Sequence, residues 1–120
     1  MGKFKIFYLQ EDITLKNIEY LKRTMNKLVY GNCNCIILNM EKVKYINGIG
    51  LETIIKCAIL AKKKKKELVI TNIESPLKEI FQIVAFSIVI RLFDSDKEAI
   101  DYFYQNNKFL KTNNSLGKPL

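Results

Sequence analysis

Histidine is absent from this 120-residue chain. Without an imidazole, no Ser-His-Asp or Cys-His catalytic arrangement and no His-ligated metal site can be built. Tryptophan is absent too, and the five glycines nowhere fall into the Gly-rich pattern of a phosphate-cradling loop that ends in Gly-Lys-Ser. Cysteine is scarce: Cys33, Cys35 and Cys57. The Cys33-x-Cys35 pair offers too few thiols for a structural zinc, and Cys35 and Cys57 read as small buried hydrophobes. An odd cysteine count points to a reducing compartment. The opening Met1-Gly2-Lys3-Phe4-Lys5 runs into a strand-like alternation rather than a signal-type apolar region. Ile6 stands where a myristoylation motif needs Ser or Thr. Apolar runs such as residues 86–90 stop far short of the ~20 residues that span a bilayer. No Ser, Thr or Cys has an evident general base. These gaps predict a cytoplasmic, non-enzymatic protein with no membrane span, metal or cofactor.

What is present is close to average. Hydrophobic residues make up 48% of the chain and charged residues 27%, the composition of an ordinary soluble domain rather than of a disordered segment. A chain of this length makes about one domain and buries roughly 65% of its unfolded surface. The net charge is +8, and the run Lys62–Lys66 supplies five of those charges. The basicity is therefore local. The run reads as a solvated helix end, and the tyrosines at 20, 30, 102 and 104 do not interleave with it as stacking platforms would, so nucleic acid is not the expected partner. Glu11 and Asp12 read as a turn.

Residues 4–9 alternate as a strand, with Phe4, Ile6 and Tyr8 on one side. From Thr14 to Tyr30, Ile18, Leu21, Met25 and Leu28 line one helical face, and Gly31-Asn32 closes it. Cys35 to Met40 is apolar on both faces, which places it centrally in a covered sheet. Val43 to Ile46 is a short extended piece. Leu51, Ile54, Ile55, Ala58 and Ile59 then recur at helical spacing, and the lysine run ends that helix in favourable alignment with its dipole. Glu67 to Thr71 is a third strand. Ser75-Pro76 is expected to cap and open a helix with Leu77, Ile80, Phe81 and Val84 inward. Ile88 to Phe93 is a fourth strand. Ser95 and Glu98 have capping-box spacing and open a last helix with Ala99, Ile100 and Phe103 inward. Residues 1–110 form one domain, and residues 111–120 are expected to be a disordered tail. The alternation predicts an α/β domain: a mixed, mostly parallel sheet of four to five strands with about four helices.

One loop is unusual. Asn47-Gly48-Ile49-Gly50 holds the only closely spaced glycines, just before the best helix. Such glycines either bring helix N–H groups close to a ligand or partner, or simply make a tight turn.

Residues 35–60, with Cys35 to Met40 leading to Asn47-Gly48-Ile49-Gly50-Leu51-Glu52-Thr53, resemble the STAS domain. That family includes anti-sigma factor antagonists and the cytoplasmic parts of sulfate transporters. Glu67–Thr71, Ser75–Phe81, Ile88–Phe93 and Ser95–Ile100 continue the likeness, which covers roughly residues 5–104. The family pattern at the loop is an Asp, two hydroxyl residues, then Gly-Leu-Gly. Here Asn47 stands at the Asp, and Gly48 and Ile49 at the hydroxyls. Ile49 occupies the phosphoacceptor position of switchable members, so this chain has no phosphoacceptor there. The nearest hydroxyls are Tyr45 and Thr53, and Thr53, nearly a turn further on, is expected to face a different patch. One strand precedes the first helix where many members have two. The resemblance implies a regulatory module that docks an anti-sigma factor or related kinase-like protein through Asn47, Gly48, Ile49, Gly50, Glu52 and Thr53. Gly48, Ile49 and Gly50 would be the apolar centre of that contact. The alternative it implies is an accessory subunit of a membrane transporter, bound to the transporter's ATPase.

Overall fold

The computed structural model describes residues 4–88 and 90–106, the side chains of 84–88 excepted. Strands and helices alternate: β1 (Phe4–Tyr8), α1 (Ile18–Tyr30), β2 (Cys35–Asn39), α2 (Gly48–Lys63), β3 (Glu67–Thr71), α3 (Leu77–Ile88), β4 (Leu92–Phe93) and α4 (Asp96–Gln105). The sheet order is β1-β2-β3-β4, and every pairing is parallel. Because the sheet grows in one direction only, crossovers of one hand all fall on one face. Accordingly, Ile36, Leu38, Leu68 and Ile70 pack with Leu21, Met25, Ile54, Ala58 and Phe81 from α1, α2 and α3. The alternate residues Cys35, Ile37 and Val69 point the other way and meet Ala99 and Phe103 of α4. β2 and β3 are buried along their whole length, as sheet strands covered on both faces must be.

The helices differ from expectation in their ends and faces. α1 begins at Ile18 rather than Thr14. Residues 14–17 form a turn instead, in which Asn17 Oδ1 accepts from Thr14 N at 2.9 Å. Its buried line is Ile18, Leu21, Met25 and Val29, with Leu28 half-buried. In α2 the buried line is Gly50, Ile54, Cys57, Ala58 and Ala61, while Ile59 is exposed. Small residues hold the closest approach, and the larger aliphatics flank it. In α3, Leu77 and Phe81 are buried but Ile80 is exposed; Val84 lies outside the described side chains.

The junctions around α3 also depart from the sequence reading. The helix begins at Leu77, after a cis Ser75–Pro76 peptide, and Ser75 Oγ donates to Glu79 Oε2 at 2.7 Å. The expected strand 88–93 is wrong at its start: Ile88 is helical, and only Leu92–Phe93 pair as β4. A short aliphatic run fits a buried helix end and a buried strand equally well. Val89 and the expected tail 111–120 lie outside the described residues. Ser95 does cap α4, accepting from Glu98 N at 3.1 Å, and Glu98 Oε1 reaches back to Asp94 N at 3.1 Å.

The lysine run is partly structural. Lys66 Nζ donates to the Val29 and Gly31 carbonyls, each at 2.6 Å, and so caps the end of α1. Burial lowers the pKa of that ammonium. Gly31 itself is extended rather than left-handed. It is needed because a Cβ there would lie 2.9 Å from the Lys27 carbonyl oxygen. Cys35 and Cys57 are buried, and burial pushes the Cys57 thiol up.

Candidate functional site

The expected loop is not a loop. Gly48, Ile49 and Gly50 form the first turn of α2, and Asn47 is its N-cap. Asn47 Oδ1 accepts from Gly50 N at 2.7 Å, and the Asn47 carbonyl accepts from Leu51 N at 3.0 Å. The first bond occupies a helix-start donor that otherwise lacks a partner, and the second is the first bond of the helix itself. No glycine has a positive φ among the described residues, so the glycines do not serve a bend. Gly50 is buried, and a Cβ on it would meet Ile13 Cγ2 at 2.6 Å and Ile46 Cγ1 at 2.8 Å. Its place is beneath the surface, not at the centre of a contact as the sequence reading had it. Gly48 is exposed with open space around its Cα.

A second segment locks this helix head in place. Ile13 and Ile46 form a parallel bridge, with Ile13 N donating to the Tyr45 carbonyl and Asn47 N to the Ile13 carbonyl, both at 3.0 Å. Asp12 Oδ1 accepts from Lys44 N at 2.6 Å and from Tyr45 N at 3.1 Å. Lys44 Nζ then reaches Glu74 Oε1 at 2.9 Å, and this hydrogen bond holds the Glu74 carboxyl below its usual range. Asp12 therefore has a defined task that the sequence showed only as a turn.

On the surface that results, Ile49 is 45% exposed. It shares a hollow of about 250 Å³ with Lys22, Asn26, Glu52, Thr53, Lys56 and Cys57, between α1 and α2. Thr53 thus lies on the same patch as Ile49, against expectation. The two are four residues apart and stack on one helical face, and Thr53 Oγ donates to the Ile49 carbonyl at 2.8 Å. Glu52 is exposed and pairs with Lys56 at 3.5 Å. On the other side of Asn47, Thr14, Leu15, Lys16 and Tyr45 line a second hollow. Leu15 and Tyr45 are 78% and 54% exposed. Leu15 carried no periodic signal because it precedes α1 in a turn.

The first turn of α2 holds no acidic residue. Its positive end is left without a compensating charge. The acidic side chains gather instead at the start of α4. Asp96 accepts from Asn39 Nδ2 at 3.0 Å, from Thr71 Oγ1 at 2.5 Å and from Tyr8 OH at 3.3 Å. This cluster ties the ends of β1, β2 and β3 to α4, and nothing in the sequence spacing revealed it. Among the described residues no group of His, Cys, Asp and Glu is arranged to hold a metal ion, and no helix is long and apolar enough to cross a membrane.

Residues 2–99 match the family model described as the STAS domain. Three solved structures share the fold. A candidate anti-sigma factor antagonist from Thermotoga maritima superposes with a TM-score of 0.74 at 13% identity, over 82% of this chain and 86% of the other. A sulfate transporter family protein from Wolinella succinogenes gives 0.69 at 18% identity, over 82% and 83%. The anti-sigma factor antagonist SpoIIAA in its unphosphorylated form gives 0.69 at 15% identity, over 87% and 92%.

Proposed function

This chain belongs to the STAS domain family, and from that premise we propose that it is a non-enzymatic regulatory module that docks an anti-sigma factor of the serine-kinase type through the head of α2. The observation that carries this reading is Ile49. It stands exposed on the first turn of a capped helix; the resemblance aligns it with the family's phosphoacceptor, and its side chain has no hydroxyl to take a phosphate. Gly48, Ile49, Glu52 and Thr53 form the surface of the contact; Asn47 and Gly50 hold it in shape. In switchable relatives a phosphate would bring about −1.5 to −2 charges to this point. This module stays in its uncharged form or answers to a signal elsewhere. Its place of action is the cytoplasm. The test is binding to the purified partner by Ile49→Glu, which puts a carboxylate where the contact is apolar. Affinity is expected to fall tenfold or more, since an unpaired charge forced into an interface costs about 2 kcal/mol or more. Binding that survives the change places the interface elsewhere.

The likeness to a sulfate transporter family protein supports a second reading, a cytoplasmic accessory subunit bound to a transporter ATPase. Recovery of the chain with a membrane transporter, rather than with a soluble kinase-like protein, favours that alternative.

A further inference from the structure

The far end of α2 carries a surface that the docking head does not use. α1 and α2 each connect parallel strands, so they run in the same direction and end at the same pole. The Lys66 contacts to Val29 and Gly31 bring those two ends together. Lys27, Lys62, Lys63, Lys64 and Lys65 are exposed there. Lys64 Nζ lies 4.3 Å over the ring of Tyr30, itself exposed. Among the described residues no exposed acid pairs with them. The loop 31–34 is uncharged, and the carboxylate at this pole, Glu67, is buried against Arg91 at 3.2 Å and Tyr102 at 2.7 Å. Every exposed acid among the described residues except Asp101 lies in a loop or an early helical turn toward the opposite pole, and Asp101, midway along α4, is paired with Lys97 at 3.0 Å. The charge is therefore separated along the strand direction.

We propose that this lysine pole binds the anionic surface of a membrane peripherally. Clusters of four to eight basic residues do this through charge alone, and flexible lysine stems on a blunt helix end suit a planar field of headgroups. Nucleic-acid surfaces commonly add arginine forks and free aromatic faces to their lysines. Here Arg91 is taken by Glu67, and the Tyr30 face is taken by Lys64. The 16 residues of α2 separate the pole from the docking head by about 24 Å. A protein partner and a membrane can be held at once, and the lipid contact does not depend on who the partner is.

The experiment is co-sedimentation of the full chain with vesicles of phosphatidylcholine alone or mixed with phosphatidylglycerol. Binding is expected only to the mixed vesicles, and weaker as salt rises toward about 0.15 M and beyond. Each lysine near such a surface is worth about fivefold in partitioning. A variant with Lys62→Gln, Lys63→Gln, Lys64→Gln and Lys65→Asn should lose on the order of a few hundredfold. Asparagine suits the left-handed backbone of Lys65, at φ 63°. Lys66 is left in place to cap α1. A control with Lys16→Gln, Lys42→Gln, Lys44→Gln and Lys97→Gln removes the same charge at the opposite pole and should lose only a few-fold. Circular dichroism melts check that both variants fold. No binding to the anionic vesicles, equal losses in the two variants, or tighter binding to an RNA or DNA duplex that the same four substitutions abolish would each overturn the proposal.

Discussion

Gly50→Ala is the sharpest test of how the candidate site is built. An alanine inside a helix ordinarily gains about 1 kcal/mol over glycine. At position 50 the new methyl would stand 2.6 Å from Ile13 Cγ2, 2.8 Å from Ile46 Cγ1 and 3.0 Å from Asn47 Oδ1. Both isoleucines are β-branched, buried and pinned by the backbone bridge between them, so neither Cγ atom swings aside cheaply. Overpacking of this kind costs about 1–3 kcal/mol, and displacing Asn47 weakens the cap as well. The net expectation is destabilisation by about 1–2 kcal/mol. Gly48→Ala is the matched control. Nothing lies within 4 Å of a Cβ there, so the ordinary gain of about 0.4–1 kcal/mol from a less flexible unfolded chain should appear undiminished. Urea denaturation of both variants measures the difference directly, as a shift in midpoint at constant slope. A Gly50→Ala protein as stable as Gly48→Ala would show that α2 is not seated against Ile13 and Ile46.

Asn47→Ala removes the bond to Gly50 N and should cost about 1 kcal/mol in the same assay, whereas Asn47→Asp keeps the cap and adds a favourable charge at the helix start. Asp96→Ala leaves the buried Thr71 hydroxyl without its acceptor and the Asn39 amide with fewer; a loss of about 1–3 kcal/mol is expected, and an unchanged midpoint would mean the cluster contributes nothing. Tyr102 is pushed up to about 12 by burial and by Glu67. Its folded value lies above its unfolded one, so the stability it lends is complete below about pH 10 and drains away between 10 and 12. Denaturation midpoints measured across that window should fall less steeply in Tyr102→Phe, and ultraviolet titration of the six tyrosines should lose its late phase near pH 12 in that variant.

The sheet was legible because its strands carry a simple signal. The centres of β2 and β3, Ile36–Leu38 and Leu68–Ile70, are aliphatic on both faces, and only a sheet covered on both sides buries them. Ser95 and Glu98 announced α4 through short-range capping chemistry that depends on no distant residue. Position-specific features were harder. The glycines at 48 and 50 look alike in sequence, but one faces solvent and the other is wedged under Ile13 and Ile46, a fact that depends on a segment more than thirty residues away. Ile80 and Ile59 fit a helical period yet stay outside, because periodicity shows that a face is apolar without showing how wide the covering elements are. The Asp96 cluster joins positions 8, 39, 71 and 96, and no local pattern encodes that meeting. Of the proposed contact residues, Ile49 and Thr53 were placed on separate patches; the i, i+4 geometry of an uninterrupted α2 reunites them.

The continuous helix has a consequence for regulation. Had residues 47–50 been a bend, a modification could have reshaped them. As the first turn of a helix that continues to Lys63, they are fixed by the Asn47 cap, by Gly50 packing and by the Asp12 bonds to the preceding segment. A phosphate at such a place acts through charge, drawn to the positive end of the helix. Ile49 has no hydroxyl and supplies no such handle at the head of α2. Under the proposed function, occupancy of that head is then set by how much partner is present and where the protein is held. A lysine pole about 24 Å away at the other end of the same helix gives location a physical basis: mass action at a membrane surface raises the local concentration of any partner confined there, without altering a single contact at Ile49.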